Sequence, residues 1–218
     1  MNESSSTNGK TVWRRILGVD PAAAGPTGFG ILETDGRTCR VVNYGAFQTP
    51  AKLQKISAGI ALLDIHTTIS ELLRDFSPHV VAIESVFTAL NIKTALRLAE
   101  VRGVVLLAAE QYGVEVFSYS PREVKACVAG YGHADKKQMQ QMVKATLGMS
   151  EIPEPSDAAD ALAVAFCHLQ GERLENRFGV SRATIANRKA APKSPRHQNS
   201  EQTNSRVTPG RNPRIQSI

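Results

Sequence analysis

The chain has 218 residues, of which 42% are hydrophobic and 21% charged, and it carries a formal net charge of +6. This length suits one domain with an extension and excludes two large lobes, while the lack of an apolar leader or of a run of about 18 apolar residues predicts a cytoplasmic protein without a membrane span. Three widely spaced cysteines without a Cys-x-x-Cys pair argue against a disulfide framework and a zinc site.

The residue patterns in the first part of the chain predict strands and one long helix. Polar residues 1–12 predict a disordered N-terminus. Three apolar runs separated by turn residues then predict strands of an antiparallel meander, at Ile16–Val19, Gly28–Leu32 and Val41–Phe47. Apolar residues spaced three and four apart over Leu53–Phe76 predict an amphipathic helix. The continuous apolar run Val80–Ile83 predicts a strand covered on both faces.

The second part of the chain predicts helices that alternate with strands. We expect a helix over Asn91–Tyr112, a strand over Val114–Tyr119, and helical structure after Pro121 with a break at Gly130–Gly132. An alanine-rich helix over Asp157–Leu169 completes the folded part. Strands that first pair antiparallel and later alternate with helices predict an α/β fold, with a mixed five-stranded sheet layered between helices.

Charge divides the chain into a nearly neutral folded part and a basic tail. We place the domain at residues 13–170 and the tail at residues 171–218, where ten Lys and Arg against three Glu give a net charge of +7. Residues 1–170 carry a net charge of −1. Four prolines and a single aromatic residue predict that the tail is disordered. It is either a solvated extension or a weak electrostatic contact to DNA phosphates.

Four carboxylates occupy positions where an unpaired charge is costly or where ligands usually bind. Asp20 and Glu84 end wholly apolar strands, and Asp157 and Asp160 project from one face of the last helix near its start. If the four meet, they raise one another's pKa values unless cations neutralise them, and oxygen ligands favour Mg²⁺ or Mn²⁺. Plainer interpretations stay open: Asp157 as a helix cap, Asp20 as a turn opening and Glu84 as a solvated strand end.

Four short motifs, three of which hold these acids, follow one another along the chain. They are Ile16-Leu17-Gly18-Val19-Asp20-Pro21, Thr27-Gly28-Phe29-Gly30, Ala82-Ile83-Glu84-Ser85-Val86-Phe87 and Asp157-Ala158-Ala159-Asp160-Ala161-Leu162-Ala163. In order and spacing they resemble the RuvC family of Holliday-junction resolvases, and the resemblance covers roughly Arg14–Leu169. The chain departs from the family at Ala22, where glycine usually follows Asp-Pro.

The resemblance implies an RNase H-like fold and a homodimer that nicks two symmetry-related strands of a four-way DNA junction. Carried over residue by residue, it assigns metal binding and catalysis to Asp20, Glu84, Asp157 and Asp160. Two Mg²⁺ ions about 4 Å apart, which Mn²⁺ can replace, would activate water and stabilise the leaving 3′ oxygen. The expected products have 5′-phosphate and 3′-hydroxyl ends. Branch-migration proteins are further candidate partners.

Basic and aromatic residues near these motifs are the candidate DNA contacts. By resemblance, Lys136 is a catalytic residue at the scissile phosphate and Lys125 binds DNA. Phe87 is expected to stack on an unpaired base at the opened crossover, the alternative being a core aromatic. Further candidates nearby are Arg122, His133 and Lys137, and for Arg122 and Lys137 a solvated helix face is the plain alternative.

The resemblance also implies how two copies associate. A four-way junction has approximate two-fold symmetry, so a two-fold dimer places equivalent sites on opposing strands. The helix over Asn91–Tyr112 is expected to carry much of this interface. Its apolar candidates are Leu96, Ala99, Val105 and Leu106.

Three other functions compete with a junction nuclease. A glycine-rich turn after Asp20 also suits an actin-like ATPase, but that class needs two lobes and the foldable part supplies one. A junction-binding protein without catalysis would fit the altered Ala22, although all four carboxylates are present. Another RNase H-like nuclease would act on RNA–DNA hybrids.

Overall fold

The computed structural model describes residues 12–49, 57–85 and 91–179. All of these residues belong to one compact unit of the chain. The predictions for the N-terminus up to residue 11, for the start of the helix at Leu53, for Phe87 and for the tail beyond Gly179 lie outside the described residues.

The described residues form five strands and five helices. In chain order they are β1 (Arg14–Asp20), β2 (Thr27–Thr34), β3 (Cys39–Phe47), α1 (Ala58–Phe76), β4 (Val80–Glu84), α2 (Ile92–Gln111), β5 (Glu115–Tyr119), α3 (Pro121–Ala129), α4 (Lys136–Thr146) and α5 (Ser156–Phe178). β1, β2 and β3 are longer than the apolar runs that predicted them, because polar residues such as Arg14 and Arg40 also pair along the sheet, whereas β5 begins one residue later than predicted.

The strands form one mixed sheet in the order β3-β2-β1-β4-β5. β1, β2 and β3 pair antiparallel, and β1, β4 and β5 pair parallel. The predicted meander and the predicted α/β fold are therefore confirmed. The chain returns to the sheet beside β1 with β4, which brings the carboxyl ends of these two strands together.

Helices cover both faces of the sheet. On one face, Leu17, Val19 and Ile83 pack with buried residues of α1 and α2 such as Ile69 and Val105. On the other face, buried residues of α5 pack with those of the sheet and of α3 and α4. Among the described helices, none combines the length and apolar character that crossing a membrane requires.

Helix α2 divides its apolar residues between the core and the surface. Leu96 is 62% exposed and Leu106 is 37% exposed, so both are available to a second molecule. Val105 is completely buried against α1 and the sheet, and its prediction as an interface residue is wrong. Every third or fourth residue of an amphipathic helix faces the core, and Val105 follows Val101 on that buried side.

Helix α5 continues to Phe178, beyond the predicted end at Leu169 and across the predicted domain boundary at residue 170. The amino-acid composition did not predict the last turns of this helix, because they need no buried apolar face. Ion pairs and hydrogen bonds hold them instead: Glu172 lies 3.1 Å from the guanidinium of Arg14, and Arg173 donates to the carbonyl of Arg37 at 2.9 Å.

Three glycines of the sheet bring α5 unusually close to β1 and β2. A Cβ added at Gly28 would overlap the carbonyl oxygen of Asp157, and one at Gly18 would overlap that of Ala161. A Cβ added at Gly30 would instead overlap the side chain of Leu162, at 2.7 Å from its Cδ2. At this glycine contact, formed by Gly18, Gly28 and Gly30, α5 lies directly on the strands, and its backbone touches them at Gly18 and Gly28.

Candidate active site

Two of the predicted acids end adjacent parallel strands. Asp20 is the last residue of β1 and Glu84 is the last residue of β4. The strands pair in register at Val19 and Ile83, so each acid directly follows a paired residue. Asp20 and Glu84 therefore lie side by side at the carboxyl ends of the strands, where α/β sheets usually bind ligands.

The other two acids belong to the first turns of α5. Gly28, which pairs with Asp20 across β1 and β2, is also the residue on which the backbone of Asp157 rests. The glycine contact thus brings the start of α5 to the end of β1. The N-cap of α5 is Pro155, which makes no side-chain cap bond, so the interpretation of Asp157 as the helix cap is wrong.

A cleft of about 270 Å³ opens where these elements meet. Three acids and two lysines line it: Asp20, Glu84, Asp160, Lys125 and Lys136. Its lining does not include Asp157, whose charge nevertheless acts on Asp20. Arg122, His133 and Lys137 are also not among the lining residues.

Burial and mutual repulsion raise the pKa values of the clustered acids. Burial is the main reason that the pKa of Asp20 rises from 3.8 to about 8, and the charges of Glu84, Asp160 and Asp157 raise it further. Burial and the charge of Asp160 raise the pKa of Glu84 to about 7. Burial also raises the pKa of Asp160. Because Glu84 is partly buried, the interpretation of it as a solvated strand end is wrong.

The two lysines offset part of this negative charge. The Nζ of Lys136 lies 3.5 Å from an Oδ2 of Asp160, and its charge lowers the pKa of that acid against the effect of burial. Lys125 lowers the pKa of both Glu84 and Asp160. Lys136 is the first residue of α4, a start that the capping box between Asp135 and Gln138 fixes.

The acids suit a hard divalent cation by their chemistry. They are oxygen donors, they are half-buried, and burial together with their mutual repulsion raises the pKa values of Asp20 and Glu84. Within residues 12–49, 57–85 and 91–179, however, no group of three or more His, Cys, Asp or Glu side chains is arranged to hold a metal ion. Like charges repel, so carboxylates without a cation between them are expected to separate. The metal assignment stays a prediction.

The loop after Asp20 closes without the glycine that the resemblance led us to expect at Ala22. The amide of Ala22 lies 3.5 Å from the hydroxyl of Thr27, which ties the loop's two ends together. Gly25 has a φ of 110°, which side-chain-bearing residues rarely adopt. The loop therefore has its conformationally free glycine at position 25 and not at position 22.

Sequence reasoning missed the apolar wall of the cleft. Four residues form it: Pro121, Val124, Met139 and Ala163. The helical spacing of Val124 and Val128 marks the buried side of α3 and was the available signal. By keeping water from one side of the acids, this wall strengthens every charge interaction in the cleft.

The stability of the metal-free protein is expected to fall as pH rises. Because folding raises the pKa of Asp20 from 3.8 to about 8, the folded state holds its proton more tightly than the unfolded state. The resulting stabilisation is complete below about pH 4 and is lost as pH rises towards 8. In EDTA we expect the Tm to fall by at least about 5 °C between pH 5.5 and 8.5.

Two variants separate this effect from other titrations. Asp20→Asn should flatten the pH dependence, whereas Asp75→Asn, which alters an exposed carboxylate paired with Arg74, should leave it unchanged. Differential scanning calorimetry measures both. An unchanged slope in Asp20→Asn would contradict the raised pKa.

Several known proteins that share one name are similar to this chain in sequence. The profile of the family "Crossover junction endodeoxyribonuclease RuvC" matches residues 16–168. A curated relative of that name from Halothermothrix orenii is 43% identical over 165 residues, which are 76% of this chain and 98% of the relative. Another from Desulfitobacterium hafniense is 46% identical over 164 residues, covering 75% of this chain and 97% of the relative.

A solved structure resembles the fold as well. It is "T. thermophilus RuvC in complex with Holliday junction substrate", with a TM-score of 0.68 and 33% sequence identity. The match covers 74% of this chain and 96% of that chain.

Proposed function

This chain belongs to the RuvC family of crossover junction endodeoxyribonucleases, with an RNase H-like fold, and we propose that it resolves four-way DNA junctions by nicking two symmetry-related strands. The reaction is phosphodiester hydrolysis that leaves 5′-phosphate and 3′-hydroxyl ends. One observation of the molecule supports it most directly: Asp20, Glu84 and Asp160 share a single cleft with Lys125 and Lys136. Family membership also removes the actin-like ATPase from consideration.

We propose that Asp20, Glu84, Asp157 and Asp160 hold Mg²⁺, two ions in each subunit, with Mn²⁺ as a substitute. A phosphodiester and an attacking hydroxide are both anionic, and an acidic cleft without cations would repel both. When bound, the ions would supply the positive charge that activates water and stabilises the leaving 3′ oxygen. The donor set supports this assignment because it consists of carboxylates that lie close enough to raise one another's pKa values on top of the effect of burial.

The lysines are proposed to position the substrate. Lys136 is close enough to Asp160 to neutralise part of its charge, and the same ammonium group can donate a hydrogen bond to a phosphate oxygen. Lys125 lies in the same cleft and faces Glu84. Together they favour a phosphate group close to the carboxylates, which fixes where cleavage occurs without reading the base sequence.

Cleavage assays on three substrates test the function. The purified protein should make paired nicks in a synthetic four-way junction with Mg²⁺, and it should bind the junction without cutting it in Ca²⁺. A linear duplex and an RNA–DNA hybrid of the same sequence should stay intact. Preferred cutting of the hybrid would favour a hybrid nuclease, and binding without nicks in Mg²⁺ would favour a non-catalytic junction-binding protein.

Replacing Lys136 by glutamine is expected to slow junction cleavage. The change removes the cation that lies 3.5 Å from Asp160, and a hydrogen bond to a charged group is worth roughly 10- to 100-fold in rate. Lys144→Gln is the matched control, because Lys144 lies in the last turn of the same helix and does not line the cleft. Single-turnover cleavage in Mg²⁺ measures both variants. Equal losses of rate in the two would contradict a specific role for Lys136 in the cleft.

We also propose that two copies form a dimer through α2. Ile92, Leu96 and Leu107 leave large apolar side chains exposed along this helix, at 79%, 62% and 55% respectively. Their burial by a second copy would remove this apolar surface from water. Sedimentation at micromolar concentration tests the proposal, and a monomer there would contradict it.

A further inference from the structure

The loop between α3 and α4 lies at the rim of the cleft. Gly130 ends α3 with a φ of 83°, and the chain then turns back along that helix. A Cβ added at Gly132 would lie 2.7 Å from Cγ of Arg122, so the loop rests against the first turn of α3. Pro121 and Lys136, which begin the two helices, both line the cleft. The loop is therefore held between two of its lining residues.

Tyr131 presents an anchored aromatic ring from this loop. It is 48% exposed, and its hydroxyl donates to the Oε1 of Gln138 at 2.7 Å. The same Oε1 accepts from the amide of Asp135 at 3.0 Å, within the capping box of α4. The side chain that holds Tyr131 is thus itself fixed by the start of α4. The aromatic ring is therefore held half in solvent by its hydroxyl, on the loop that joins two helices whose first residues line the cleft.

Basic residues flank Tyr131 along the chain. Arg122, Lys136 and Lys137 lie in the adjoining helix turns, and Arg122 packs against Gly132 in the same loop. The nearest acid in sequence, Asp135, is engaged in capping α4. An aromatic ring among basic residues is the combination with which proteins bind unpaired nucleic-acid strands, because bases stack on the ring while the cations contact phosphates. Neither the metal proposal nor the lysines use this ring.

We propose that Tyr131 stacks on an unpaired nucleobase of the strand whose phosphate enters the cleft, and that it thereby positions that strand for cleavage. The inference rests on the proposed junction-resolving function. Near a crossover, bases can leave the duplex stack, and an anchored ring takes the place of the lost neighbour. Tyr131 would act on binding and alignment of the strand, whereas the carboxylates act at the reacting phosphate.

Three substitutions and one control distinguish stacking from support of the loop. Tyr131→Leu removes the ring, Tyr131→Phe keeps the ring but removes the hydrogen bond to Gln138, and Tyr131→Trp enlarges the ring. Tyr112→Leu is the matched control: Tyr112 is 44% exposed and follows α2 at the opposite end of the sheet. Each variant is assayed for binding to a junction and to a linear duplex in Ca²⁺, and for single-turnover cleavage in Mg²⁺.

We expect Tyr131→Leu to weaken junction binding by about tenfold, the loss typical of one stacked base, with duplex binding unchanged. Tyr131→Phe and Tyr131→Trp should bind within about threefold of the original protein, since both can still stack. Tyr112→Leu should bind the junction as tightly as the original protein does. Junctions carrying 2-aminopurine in turn at each crossover nucleotide should show one position whose fluorescence is quenched by the original protein and released in Tyr131→Leu.

Other outcomes overturn the inference. Junction binding that is unchanged in Tyr131→Leu excludes stacking, and equal losses in Tyr131→Leu and Tyr131→Phe assign the residue to loop structure instead. Equal loss on junction and duplex also excludes recognition of an unpaired base. These conclusions about Tyr131 apply when the original protein cuts the junction. If the original protein does not cut it, the proposed function itself has failed, so failure of the stacking proposal and failure of the proposed function are distinguishable.

Discussion

Replacing Asp20 by asparagine is expected to lower the rate of junction cleavage by at least about 10²- to 10³-fold, the usual cost of deleting a single transition-state contact. The substitution keeps the shape of the side chain but removes a charge at the centre of the cleft, where Glu84, Asp160 and Asp157 all act on it. Binding of the junction in Ca²⁺ should be retained, because removing a negative charge from the cleft does not increase its repulsion of DNA.

The fold should survive this change. Asparagine relieves the repulsion that raises the pKa of Asp20, so Asp20→Asn is expected to be at least as stable as the original protein at pH 8. Single-turnover cleavage, junction binding and calorimetry on the same preparation measure the three effects. Asp75→Asn is the control, since Asp75 is exposed and does not line the cleft. Robust nicking by Asp20→Asn would falsify the assignment of Asp20 to metal binding.

Replacing Gly28 by alanine is expected to reduce both stability and cleavage. The new methyl group would overlap the carbonyl oxygen of Asp157, a backbone atom that no rotamer change can move away. Overpacking of a core contact costs about 1–3 kcal/mol in the free energy of unfolding. Displacing α5 by about 1 Å also misplaces Asp157 and Asp160, and such misalignment can cost about 10²-fold in rate.

A second glycine provides the matched comparison. Gly59 lies in the first turn of α1, and a Cβ added there meets only the Oγ of Ser57, at an ordinary contact distance of 3.5 Å. Gly59→Ala should therefore stabilise the helix slightly, by at most about 1 kcal/mol, and leave cleavage unchanged. Chemical unfolding and single-turnover cleavage report the two effects. A Gly28→Ala protein with the stability and rate of Gly59→Ala would show that α5 can move away from the sheet without consequence.

Much of this fold can be predicted from local patterns, and its assembly only in part. Alternating and continuous apolar runs located the strands because burial dictates them, and the antiparallel meander followed from the short turns. The order of β4 and β5 beside β1 depends on contacts between distant residues, which periodicity does not contain. The extent of α5 was missed because ion pairs such as that of Arg14 with Glu172 stabilise its last turns.

The candidate site was predictable where chemistry restricts residue type. A charged residue at the end of an apolar strand is unusual enough to single out Asp20 and Glu84, and the structure places both in one cleft. Tyr131 was not singled out, because an aromatic residue in a glycine-containing turn has no distinctive periodicity. Its significance depends on the hydrogen bond to Gln138 and on the fold of the loop along α3.

The glycine contact also limits how this protein can change over evolution. Where two side chains collide, a smaller residue on the opposite side can restore the fit. The atoms opposite Gly18 and Gly28 are main-chain oxygens of Ala161 and Asp157, which every amino acid possesses, so no compensating replacement exists at the partner position. A lineage that loses either glycine is therefore expected to recover only by true reversion.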